Sequence, residues 1–81
     1  MFLYAALRVD GVKGEHRIKI RNLSATGLMA ELESPVRLGN IVEIKIRNVG
    51  WVHGSVAWVE GNRFGVLLAQ DIDPRQARTL G

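Results

Sequence analysis

Three contiguous pieces decide the fold: the run Arg17-Ile18-Lys19-Ile20-Arg21, the polar stretch Asn22-Leu23-Ser24-Ala25-Thr26-Gly27, and the run Leu28-Met29-Ala30-Glu31-Leu32-Glu33. Both outer runs alternate in polarity, the period-two signature of a strand with one wet and one dry face. In the first, Ile18 and Ile20 share the dry face, with Arg17, Lys19 and Arg21 on the other. In the second, Leu28, Ala30 and Leu32 point inward, and Met29, Glu31 and Glu33 outward. A short polar connection ending in glycine joins two such runs as antiparallel neighbours. Asn22 and Ser24 can hydrogen-bond nearby backbone, and Gly27 permits a positive φ or a close approach by another group.

Working outward, the same grammar repeats. Phe2 to Val9 is an apolar run that stops at the turn signal Asp10-Gly11. Ser34-Pro35 closes the strand after the central turn, and Leu38-Gly39-Asn40 turns the chain again. From Ile41 to Arg47, Val42, Ile44 and Ile46 alternate with Glu43, Lys45 and Arg47. Trp51 to Glu60 is a longer strand with Val52, Val56 and Trp58 on one face, and Gly54 in its middle suggests a bend or bulge. Gly61-Asn62 makes a tight turn into a last strand, Arg63 to Ala69. The tail changes character: Asp73 is placed to cap a short helix, with Pro74 at its first position and Gln76 completing a capping box.

Six short strands at regular spacing predict an all-β, antiparallel six-stranded barrel (about residues 2–69) with a short C-terminal helix or tail (about 73–81), a single domain over residues 1–81. Closure is favoured because it removes edge strands that would invite aggregation in so apolar a small chain.

Composition narrows the function. The chain has 81 residues, with eleven Lys and Arg against eight Asp and Glu, a formal charge of +3 that mildly favours anionic partners. Arg outnumbers Lys eight to three, and Arg is the better fork for phosphates and guanine edges. With no cysteine, disulfides, thiolate metal sites and a Cys nucleophile are excluded, which fits a cytoplasmic protein. The apolar opening breaks at Arg8, too early for a signal-peptide core or a membrane span, so membrane insertion is not expected.

Catalysis is not expected either. His16 and His53 lie on different strands with no carboxylate at dyad spacing and no third metal ligand, and Ser24 lacks a strand-to-helix elbow and an assignable base. No cofactor is implied. Nucleic-acid binding would use the basic face of Arg17, Lys19 and Arg21, but aromatics are only 6% of the chain. Trp58 and Phe64 fall on core-facing positions and only Trp51 is expected near the surface, so nucleic acid ranks below a small-ligand or protein partner. The turn remains. Asn22 offers an amide edge, Ser24 a hydroxyl, and the turn backbone free N–H groups, a set able to read a purine edge while a nearby Arg meets phosphate. The same residues also suit an ordinary Asx- or Ser-stabilised turn.

Asn22-Leu23-Ser24-Ala25-Thr26-Gly27 resembles the (Asp/Asn)-x-Ser-x-x-Gly signature of PilZ domains, bacterial modules that bind cyclic di-GMP. The resemblance extends to Leu28-Met29-Ala30, to Gly54-Ser55-Val56-Ala57-Trp58-Val59 and to Arg63-Phe64-Gly65-Val66, which look like the family's last hairpin. It implies a six-stranded barrel acting as a receptor or effector without catalysis, with Asn22, Ser24 and Gly27 lining the nucleotide site. It also implies an Arg-x-x-x-Arg segment just before the first barrel strand, and here the chain departs from the pattern, because the first strand is expected to start at Phe2. Arg17 and Arg21 have that spacing but lie on the second strand, about 13 Å apart along it, and are weaker candidates for a different arrangement. Loss of two charge-assisted contacts of about 1.5–3 kcal/mol each would weaken binding by roughly two to four orders of magnitude. Three readings stay open: arginines supplied upstream of this start, weak or partner-assisted nucleotide binding, and a nucleotide-independent adaptor for motility, pilus or polysaccharide machinery.

Overall fold

The computed structural model describes residues 3–32 and 36–78; expectations placed on Phe2, Glu33, Ser34, Pro35 and the tail beyond residue 78 lie outside them. Six strands form: β1 (Leu3–Val9), β2 (His16–Leu23), β3 (Gly27–Glu31), β4 (Ile41–Ile46), β5 (Gly50–Glu60) and β6 (Arg63–Leu68). They close in the order β1-β2-β3-β6-β5-β4, with β1 returning to β4 and every pairing antiparallel. The predicted barrel is therefore present.

Its interior follows from the alternation. Ile18 and Ile20 of β2, Val42, Ile44 and Ile46 of β4 and Phe64 of β6 are all buried, each inward on a strand whose intervening residues face out. Phe64 thus sits where the period-two reading places it. The β5–β6 hairpin closes through Gly61-Asn62, with Glu60 opposite Arg63 and Gly61 in the left-handed region at φ 61°.

The bulge of β5 does not lie at Gly54. Gly54 is in register with both Val42 and Leu68, and the irregularity of β5 lies between Val56 and Trp58, at Ala57. Gly54 answers a different need: a Cβ there would stand 2.6 Å from Val66 Cγ1 and 2.7 Å from the Leu67 carbonyl oxygen. The close approach of β5 to β6 requires glycine there.

After β6 comes a five-residue helix, α1 (Pro74–Arg78). Asp73 caps it, its Oδ1 accepting from the Arg75 backbone N–H at 3.0 Å, while the Asp73 carbonyl accepts from the Gln76 N–H at 3.1 Å. Too short to stand alone, α1 is held by tertiary contacts. Ala77 is buried in the core, Ile72 packs against it, and Asn48 Nδ2 donates to the Gln76 carbonyl at 3.1 Å.

Candidate functional site

The motif turn is built from the register of β2 against β3. Ile20 pairs with Ala30, but Asn22 pairs with Met29, so Arg21 is an extra residue on β2. Without that bulge, strict alternation would send Asn22 into the core. With it, Arg21 and Asn22 are both exposed and Leu23 is buried. The bulge aims the Asn22 amide outward.

Ser24 and Gly27 serve the turn itself. The Ser24 hydroxyl donates to the Gly27 carbonyl at 3.1 Å and accepts from the N–H groups of Gly27 (3.2 Å) and Thr26 (3.4 Å). The Ser24 N–H also donates to the Gly27 carbonyl at 2.9 Å. The expectation of free turn N–H groups is therefore not met at Ser24, Thr26 and Gly27. Outside the turn, the carbonyls of Thr26 and Ala25 accept from the N–H groups of Leu68 (2.8 Å) and Ile72 (2.9 Å). At Gly27, a Cβ would stand 2.6 Å from the Val66 carbonyl oxygen, so β3 reaches β6 only because position 27 has no side chain.

Beside the turn lies an open groove of about 420 Å³ on the outer wall. Asn22, Ser24, Gly27 and Met29 line one side, and Trp58, Glu60 and Arg63 the other. Trp58 is the main correction to the sequence reading. Expected in the core, it is 42% exposed, because the bulge at Ala57 turns the strand by one residue. Its indole lies over Gly65, where a Cβ would fall 2.0 Å from Trp58 Nε1. Arg63 reaches Glu31 Oε2 at 3.3 Å, and Arg21 holds Glu31 Oε1 at 3.1 Å. Together they keep the Glu31 carboxyl below the usual carboxylate range: the Arg21 hydrogen bond is the largest cause, partial desolvation opposes it, and the charge of Arg21 and the Arg63 contact add to it.

Compared with known families, the chain matches the PilZ domain model over residues 2–81. The chain belongs to the PilZ family. No match was found among curated proteins or among solved structures. PilZ domains are binding and adaptor modules of cyclic di-GMP-related signalling, and this chain is a module of that general kind.

The PilZ groove gathers Asn22, Ser24 and Gly27 but not the two weaker candidates. Arg21, at the bulge, is turned to Glu31, and the Arg17 guanidinium lies over the Tyr4 ring at 4.0 Å from its centroid, in a different groove. Trp51 is half-buried beneath the Arg8 guanidinium, 4.2 Å away. His53 does have a carboxylate across the β4–β5 pair, its Nε2 standing 3.2 Å from Glu43 Oε2, but both side chains face solvent. Among the described residues, no three His, Asp or Glu side chains are grouped as a metal site needs, and no helix is long and apolar enough to cross a membrane.

Trp58, Glu60, Arg63, Leu28 and Met29 are the groove residues that sequence reasoning missed. A signal was available for the first: a large aromatic two residues past Val56, with Gly65 on the opposite strand, is the pattern of an aromatic covering a bare glycine on a sheet surface.

Proposed function

We propose that this PilZ domain is a cytoplasmic module that binds cyclic di-GMP in the groove beside its motif turn. One observation carries this reading: the groove sets the outward amide of Asn22 opposite an exposed indole, Trp58, and a guanidinium, Arg63. The amide suits a guanine edge, the indole a base face, and the guanidinium a phosphate. Ser24 and Gly27 shape the groove, and no metal or cofactor is required. Among the described residues, the groove's single arginine is shared with Glu31, so affinity is expected below that of a site with two committed arginines.

The test uses the indole as reporter. In a Trp51→Phe background, cyclic di-GMP is titrated against Trp58 fluorescence. Saturable quenching is expected, weakened about three- to tenfold by Asn22→Ala, the loss of one neutral amide's hydrogen bonds. No quenching and no calorimetric heat up to millimolar nucleotide would remove nucleotide binding by this polypeptide.

A second reading, a nucleotide-independent adaptor for motility, pilus or polysaccharide machinery, has its own support. The turn's hydrogen bonds at Ser24 and the close approach at Gly27 are complete without a ligand. The motif's Ser and Gly therefore have a structural reason to be present whether or not nucleotide binds. Partner capture that is unchanged by added cyclic di-GMP and by Asn22→Ala would favour the adaptor.

A further inference from the structure

The excess positive charge is not concentrated in the motif groove. Arg63 and Glu60 both line that groove, and Arg63 is already partnered by Glu31. Around the closed barrel, β1 is three strands from β6 in either direction, so the outer face of β1 looks away from the motif side. A second open groove, about 640 Å³, lies there, and Arg17, Lys45 and Arg47 are among its lining residues.

Register explains its shape. Ala6 pairs with Arg17 on one side and with Lys45 on the other. With neighbouring strands about 4.8 Å apart, the two cationic residues stand about 10 Å apart at their backbones and flank a single methyl group. Any longer side chain at position 6 would fill that gap. Arg17 is oriented by the Tyr4 ring beneath it, which leaves the guanidinium edge to make paired hydrogen bonds. Lys45 and Arg47 form no ion pair with any described residue, and Glu15, the carboxylate of the groove, is taken by Arg8 at 2.7 Å.

We propose that this groove is a second anion site, taking a ligand with two or more phosphoryl groups between Arg17 and Lys45 above Ala6. Phosphoryl chemistry is preferred because the cations cluster across one gap, as a compact multivalent anion requires. Single-stranded nucleic acid fits less well, since the two aromatic rings of this part of the barrel, Tyr4 and Trp51, each lie beneath a guanidinium group. The site is independent of the motif groove and stands whether or not cyclic di-GMP binds there.

The test titrates the full chain with sodium tripolyphosphate at low salt, followed by amide NMR shifts and calorimetry. Shifts are expected to centre on Ala6, Arg17, Lys45 and Arg47. Lys45→Ala should weaken binding about tenfold or more, as loss of a charge-assisted contact does. Ala6→Leu, which fills the gap and keeps every charge, should abolish the focused shifts, whereas Asn22→Ala should leave them unchanged. Thermal melts of each variant separate lost binding from lost folding. A parallel arm uses vesicles of four parts phosphatidylcholine to one part phosphatidylglycerol. Binding to these that is blocked by Ala6→Leu would assign the phosphoryl groups to lipid headgroups rather than a free oligophosphate. Shifts spread over all basic residues and unaffected by Ala6→Leu, or no binding at millimolar tripolyphosphate, would overturn the site. Poly-L-glutamate binding as tightly and equally blocked by Ala6→Leu would overturn the phosphoryl assignment in favour of an acidic polypeptide.

Discussion

Replacing Gly27 by alanine separates the structural role of the motif from its binding role. The added Cβ would stand 2.6 Å from the Val66 carbonyl oxygen, where ordinary contact begins near 3.4 Å, and both sides of this contact are backbone. Neither side can swing away, so β3 and β6 must part by about 0.8 Å at this point, the difference between those two distances. A shift of that size would stretch the adjoining 2.8 Å bond from the Leu68 N–H to the Thr26 carbonyl beyond hydrogen-bond range. Overpacking costs about 1–3 kcal/mol, and two weakened backbone bonds add about 0.5–1.5 kcal/mol each, so the loss is about 2–6 kcal/mol. Small domains have only about 0.05–0.15 kcal/mol per residue, which for 81 residues is about 4–12 kcal/mol. Urea and thermal denaturation followed by circular dichroism should show Tm lowered by about 10 °C or more. A loss under about 1 kcal/mol would refute the argument, because it would mean the β3–β6 seam accommodates a side chain that the geometry excludes. If the barrel does fail, lost nucleotide binding in a Gly27 variant reports folding rather than contact, and Asn22 becomes the informative position.

Gly65→Ala should behave differently, because the atoms its Cβ would meet belong to the half-exposed Trp58 side chain. The indole is expected to swing out at a cost of about 1–2 kcal/mol, with red-shifted Trp58 emission in a Trp51→Phe background; unshifted emission would contradict the placement of the ring. Glu31 is held ionised by Arg21 and Arg63, and a carboxyl whose folded pKa is lowered contributes stability above its unfolded pKa that is lost as pH falls. Stability should therefore drop on acidification through the carboxylate range, and Glu31→Gln should flatten that limb, leaving the slope due to Asp73, which Arg75 lowers in the same way. A slope identical in Glu31→Gln and the parent would exclude the triad as its source. Ala77→Asp places a charge at a buried position where α1 meets the core and should cost about 2–4 kcal/mol by denaturant titration, against almost nothing if α1 were merely resting on the surface.

How much of this could be read from the sequence depends on where alternation holds. β4 was legible outright: Val42, Ile44 and Ile46 face in because nothing interrupts period two between Ile41 and Ile46. β2 and β5 were legible only up to their bulges. After Arg21 and after Ala57 the phase slips by one residue, a property of two strands paired together that neither strand shows alone. The slip at Arg21 left a trace, since Leu23 is apolar three residues after Ile20 rather than two. The slip at Ala57 hid the more consequential residue, for it moved Trp58 from the predicted core to the groove. Asn22, Ser24 and Gly27 were picked out from the motif, but the division of labour among them was legible only in part. That Ser24 stabilises the turn was legible, since its partners Thr26 and Gly27 lie two and three residues on, whereas the commitment of Gly27 to β6 follows from its approach to Val66, about forty positions away, which local spacing does not encode.

Closure of the barrel also limits how this domain can acquire partners. Each of its six strands has two neighbours, so among the described residues none is an edge strand along its whole length, and little backbone is left for another chain to pair with. Recognition must then be written in side chains on the outer wall, and those are replaceable one at a time without disturbing the ladder beneath. A lineage could therefore change the ligand of one wall and keep that of another, with the buried isoleucines and valines indifferent to both. Diversity of binding in such a scaffold is expected to be a matter of surface substitution at outward positions such as 6, 22, 45 and 58, while variation at positions 27 and 54 is expected to be rare.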